Sequence, residues 1–180
     1  MKTKIAVWQV WGFVFSCILG VILHFLFDWT GGNVAAAPFS AVNESTFEHM
    51  KLLFFPMLIF SFTENYFIGG EYESFWCIKL KGIVYSVLLI PVLFYTINGV
   101  FGKTPDWVNI GIFFASAAFG FLYETKLFKE NSIHCQLPTV AFFTLIFIAL
   151  LFVLFTFKTP GIPLFKDPIT GTYGYFAYKR

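Results

Sequence analysis

The stretch PTVAFFTLIFIALLFVLFTF, Pro138–Phe157, carries no charged residue over its whole length. A bilayer hydrocarbon core of about 30 Å is crossed by roughly 20 apolar residues in a helix. The run is apolar throughout rather than on alternate residues, so it reads as a helix and not as a barrel strand. Working back towards the amino terminus, four more stretches have the same character: Trp107–Tyr123, Gly82–Val100, Lys51–Ile68 and Ile5–Phe27. The expected fold is all-α, a polytopic membrane bundle of about five transmembrane helices. Residues 1–157 form the bundle, and residues 158–180 form a short folded extracytoplasmic tail.

Composition points the same way. The chain has 180 residues, of which 58% are hydrophobic, 22% aromatic and 12% charged, with a mean hydropathy of +0.75. Soluble domains carry about 25% charged residues, and so small a globule has too much surface to hide this much apolar material. Lipid is the solvent that fits, and the bilayer is the expected partner. A net charge of +2 with no basic run argues against nucleic acid. Cys17, Cys77 and Cys135 lie far apart and form no CxxC pair, so no disulfide framework or zinc ribbon is expected.

Ile5–Phe27 is too long for the apolar core of a signal peptide, and Pro38 would follow the Ala35-Ala36-Ala37 stretch that resembles a cleavage site. It reads as a retained span. Lys2, Lys4, Lys79, Lys81, Lys126 and Lys129 fall on the amino-terminal side of the membrane, against Lys51 and Lys103 in the opposite loops. That bias places the amino terminus in the cytoplasm. Lys158, Lys166, Lys179 and Arg180 in the tail then lie outside and weaken it.

Helices in lipid associate by close packing and buried polar contacts. Gly12, Ser16 and Gly20 recur every four residues in the first segment. Ser116 and Gly120 do so in the fourth, with Gly111 and Ala115 as a second small pair. These two helices are the expected centre of the bundle. Ser45-x-x-Glu48 has the pattern of a capping box and marks the start of the second helix. Pro56 and Pro91 are expected to kink the second and third helices.

The ionisable residues fall mostly on one side of the membrane. His24 and Asp28 end the first span, Glu44, Glu48 and His49 open the second, and Asp167 and Tyr173 belong to the tail. With an odd number of spans these all face the same compartment. They are the candidate lining of an outward-facing pocket for a small molecule, an ion or a lipid headgroup. Two imidazoles and several carboxylates also suit a divalent metal or acid–base chemistry, with His24 and His49 as the metal ligands. No H-E-x-x-H motif is present, and adjacent Glu48 and His49 point about 100° apart on a helix.

Glu64, with Asn65 beside it, lies inside the second span, where a carboxylate costs about 2.5–3.5 kcal/mol on insertion scales. Lys79 or Lys81 is its expected partner. His134 and Cys135 are expected to cap the fifth helix. In the tail, Asp167-Pro168-Ile169-Thr170-Gly171 specifies a tight turn with Gly171 at positive φ. Its aromatic and threonine flanks suggest a small hairpin folded over the outer mouth as a lid.

At Asn43-Glu44-Ser45 with Glu48-His49-Met50-Lys51-Leu52, and at Pro163-Leu164-Phe165 with Asp167-Pro168 and Thr170-Gly171-Thr172-Tyr173-Gly174, the chain resembles an uncharacterised family of small bacterial multi-span membrane proteins, a domain of unknown function. The resemblance covers essentially the whole chain. It implies a bacterial plasma membrane and brings no catalytic or binding residues. The Trp- and Pro-rich signature of the five-span tryptophan-rich sensory proteins is missing, as is the CxxC of the quinone-linked disulfide-forming enzymes. Three functional expectations stand: a carrier or accessory subunit with an outward pocket, a metal-dependent membrane hydrolase, and a structural partner protein.

Overall fold

A computed structural model describes residues 2–130 and 135–175. Five α-helices make up the described chain: α1 (Lys2–Trp29), α2 (Thr46–Ile68), α3 (Phe75–Phe101), α4 (Asp106–Glu130) and α5 (Pro138–Phe157). All five are long and apolar enough to cross a membrane, and no strand is present among the described residues. Two one-turn 3₁₀ helices, Gly69–Glu71 and Pro163–Phe165, join and follow them.

The helices α1 to α4 close into a ring in which each packs on the next, and α4 returns to α1. Helix α2 is the most buried and touches all four others, while α5 lies outside the ring against α3 and α2. Large apolar side chains such as Val10, Trp11, Ile18, Leu122, Phe143 and Leu150 face outwards. Buried within are Glu48, Lys51, Glu64, Lys79 and Glu124. Apolar surface outside and charge inside is the arrangement that lipid selects.

Helices α3 and α4 run further than their apolar stretches predict. Lys79 and Glu124, which a hydropathy reading treats as boundaries, lie inside the bundle and neutralise each other there. Glycine spacing works as expected at some positions only. A side chain at Gly12 would strike Phe60 and Phe121, and one at Gly20 would strike Phe113, so α1 needs both to approach α2 and α4. Gly120 instead seats Ser86 of α3, and Gly111 faces open space and joins no helix contact. Helices α2 and α3 continue through Pro56 and Pro91. Buried Ser61 and Ser86 donate to carbonyls one turn back, which satisfies hydroxyls that lipid would leave bare.

Helix α1 stops at Gly31 and Gly32, both at positive φ, where the amide of Gly32 donates to the carbonyl of Phe27. The following loop tucks back over the bundle, with Ala37, Val42 and Tyr175 packed around Phe27. The tail folds back too. Phe165 packs on Phe47 at 4.4 Å between ring centres, the rings tilted by 35°, and meets Phe155. Gly171 takes φ 72°, and Asp167 accepts from the amide of Ile169 and the hydroxyl of Thr170. The expected hairpin is reduced to one antiparallel bridge, Lys166 to Tyr173.

The cysteine expectation is corrected. Cys77 and Cys135 form a disulfide, with α-carbons 6.2 Å apart. Their 58-residue separation gives no local motif, but α3 and α5 both begin at the same end of the bundle, which brings the two residues together. Cys17 is free and buried. His134, Lys179 and Arg180 lie outside the described residues.

The odd number of crossings is directly testable. In a background with all three cysteines replaced, Val34→Cys and Thr172→Cys should react with an impermeant thiol reagent from one side of the membrane, and Lys126→Cys from the other. Reaction of positions 34 and 172 from opposite sides would break the five-span arrangement.

Candidate functional site

Three groupings of polar side chains stand out, two closed inside the bundle and one open at its end. The larger closed one joins four helices near the amino-terminal end. Lys79 of α3 reaches Glu64 of α2 at 2.6 Å and Glu124 of α4 at 2.5 Å, and Gln9 of α1 donates to Glu64 at 2.7 Å. All four side chains are buried. The rings of Phe75 and Phe121 lie 6.0 and 5.6 Å from the ammonium group. Close approach is secured at Gly82, where any β-carbon would collide with the Glu124 carboxylate. Lys79 is the partner of Glu64, as one of the two expected lysines. Gln9 and Glu124 are additions by the structure: Gln9 is a lone amide inside the first apolar span, and Glu124 stands one residue past the end of the fourth.

A second buried pair closes the opposite end. Lys51 meets Glu48 at 2.6 Å and donates to the carbonyl of Ala37 and the hydroxyl of Thr156. The capping box is therefore half formed. Ser45 accepts from the amide of Glu48, but the Glu48 carboxylate turns to Lys51 and the amide of Val42 instead of back to Ser45. Asn43 takes the Ser45 amide in its place.

The open constellation lies beside this pair. A cavity of about 820 Å³ opens between α1, α2, α4 and the carboxy-terminal end of α3. One corner holds His24, Glu44 and His49, and another holds Asn98, Lys103, Asp106 and Asn109. Leu52, Phe94, Phe113 and Phe114 supply an apolar wall, and Pro168 and Ile169 of the tail edge the mouth. Glu44 lies 3.7 Å from Nε2 of His24 and 3.6 Å from Nε2 of His49. Nδ1 of His49 lies 3.0 Å from the carbonyl of Ser45. Asn98 is held by Thr104 and its own helix, whereas the buried Oδ1 of Asn109 has no hydrogen-bond partner among the described residues.

Of the sequence candidates, the structure brings together His24, Glu44 and His49. Asp28 is exposed on the last turn of α1 and lines no part of the cavity. Glu48 belongs to the Lys51 pair, Asp167 to its own turn, and Tyr173 packs against the core. Asn65 is half-buried at the end of α2, where its backbone carbonyl accepts from Gly69. Asn98, Asp106 and Asn109 escaped the sequence reading because they sit at the ends of the third and fourth spans, where polar residues are ordinary.

Five lipid-compatible helices with ions sealed inside and a polar cleft at one end define a polytopic membrane helix bundle. The chain belongs to the family of unknown function DUF6512, whose sequence model matches residues 1–175. No curated protein and no solved structure matches it.

The closed cluster makes a stability prediction. Lys79→Met leaves two buried carboxylates without their cation and should cost about 3–5 kcal/mol in reversible unfolding of the detergent-solubilised protein. Replacing all three charges together, with Glu64→Gln and Glu124→Gln added, should restore most of it. A Lys79→Met protein as stable as the parent would show that the cluster does not hold the helices.

Proposed function

We propose that this protein binds a small molecule or lipid headgroup in the cavity at the carboxy-terminal end of the bundle, as a carrier or accessory subunit of a bacterial plasma membrane. The observation that carries the reading is the cavity itself. It is large enough for an organic ligand, and an apolar phenylalanine wall faces a corner of two imidazoles and a carboxylate. Such a mixture of apolar lining and few convergent polar groups is the usual make-up of a ligand site. Glu64 belongs to the closed cluster and does not line the cavity, which favours binding at one membrane face over passage through the bundle.

With the amino terminus in the cytoplasm, the cavity opens outside. The same orientation sets Cys77–Cys135 on the cytoplasmic side, where thiols are kept reduced, so the disulfide argues for the reverse. Labelling Thr172→Cys in whole cells decides between them: reaction with an impermeant reagent supports the outward-facing cavity, and protection refutes it.

The binding reading is tested by native mass spectrometry of protein purified in mild detergent. A retained lipid or small-molecule mass is expected on the parent protein. Val21→Trp, which fills the cavity from a lipid-exposed position on α1, should abolish it with helicity unchanged. Equal retention by both proteins would place the ligand elsewhere.

A further inference from the structure

We infer that His24, Glu44 and His49 form a site for a divalent first-row transition metal of the zinc class at the polar corner of the cavity. The inference rests on the cavity being a binding site and names what its polar corner holds. Each residue comes from a different segment: the penultimate turn of α1, the loop, and the first turn of α2. One ligand atom from each lies within 4.8 Å of the other two. A tetrahedral centre with metal–ligand bonds of about 2.1 Å separates its ligand atoms by about 3.4 Å. Nε2 of His24 lies 3.7 Å from one Glu44 carboxylate oxygen and Nε2 of His49 lies 3.6 Å from the other, each near that spacing. Both separations are too long for good hydrogen bonds between these groups. A small inward movement of the two imidazoles completes the geometry.

The surroundings suit a metal as well. The Ser45 carbonyl accepts from Nδ1 of His49, which fixes the tautomer that leaves the Nε2 lone pair directed at the cluster. An oriented second partner of this kind is the usual companion of a metal-bound histidine. Lys51 of α2 is sealed against Glu48 and is no partner of Glu44 among the ion pairs of the described residues. Two nitrogens and one carboxylate favour zinc-like ions over magnesium or calcium, which take all-oxygen sets. Three protein ligands leave a coordination position of a tetrahedral ion free, and all three residues line the cavity. That position would take a water molecule or an anionic group of the cavity ligand.

The test uses the full-length protein, purified in mild detergent without a histidine tag and stripped with a chelator. Calorimetric titration with Zn²⁺ should show one tight site per chain, with no comparable binding of Mg²⁺. His24→Ala, His49→Ala and Glu44→Gln should each weaken it by roughly 100-fold or more, since even changes outside the ligand set cost 10–100-fold. Equal affinity in the His24→Ala/His49→Ala double variant would overturn the site. Zinc X-ray absorption on the unmodified protein guards against variants that fail to fold. Two imidazoles per zinc with no sulfur are expected; a sulfur shell, or fewer than two imidazoles, overturns the assignment. Native mass spectra of the same preparation separate the two readings. A retained organic ligand with no zinc binding removes the metal and leaves the cavity, and zinc binding with no organic ligand does the reverse.

Discussion

The fold depends on burying charge in pairs. Lipid gives apolar helices no reason to prefer each other over acyl chains, so the aromatic outer surface of this bundle does not select one arrangement. Lys79 does. Its ammonium group binds carboxylates from α2 and α4, and Glu64 in turn holds Gln9 of α1. One lysine thereby fixes the rotation of four helices about their axes, because α2, α3 or α4 turned by a third of a revolution would carry a bare ion into hydrocarbon, and α1 a bare amide. Lys51 does the same at the other end, tying α2 to the first loop and, through Thr156, to α5. Breaking one partner is far costlier than never having the set, which makes these clusters specifying devices as much as sources of stability.

Hydropathy made the five spans legible, because twenty apolar residues have few other uses. Its errors were systematic. Lys79 and Glu124 look like span boundaries in sequence and are interior residues in the fold, since opposite charges on different helices cancel only in three dimensions. The same limit hid the disulfide: Cys77 and Cys135 are adjacent only because α3 and α5 start at one end. The spacing of small residues told which face of α1 packs, at Gly12 and Gly20, but Gly111 followed the same pattern and faces open space. A four-residue period records that a face exists and not that anything meets it.

For the open end, the sequence gathers its candidates at one end of the bundle but does not divide them between separate contacts. Once α1 ends and α2 begins at the same face, His24, Glu44 and His49 must be near one another. Whether a given carboxylate joins them depends on a competitor for it, and that competitor was Lys51. Asp167 was likewise claimed by its own turn, through the Asx geometry that the Asp-Pro sequence encodes. Local hydrogen-bond chemistry removed residues from the site, and long-range packing added Asn98, Asp106 and Asn109 from spans that seemed unrelated.

The two glutamates that flank the start of α2 show how the closed and open ends are linked. Glu44 and Glu48 are four residues apart, yet one stays half-exposed beside two imidazoles and the other is sealed under the loop. Ser45 between them caps the helix with its hydroxyl and holds His49 with its carbonyl. Sinking Glu48 onto Lys51 therefore sets the rotation of the first turn, and adjacent His49, about 100° round the helix, is turned out to the cavity. The buried pair acts as the foundation of the open cluster through the helix turn it anchors, which sets the direction of His49. At an open end water can solvate each polar group separately, and the closed ion pair beneath holds the segments that carry Glu44 and His49 in place.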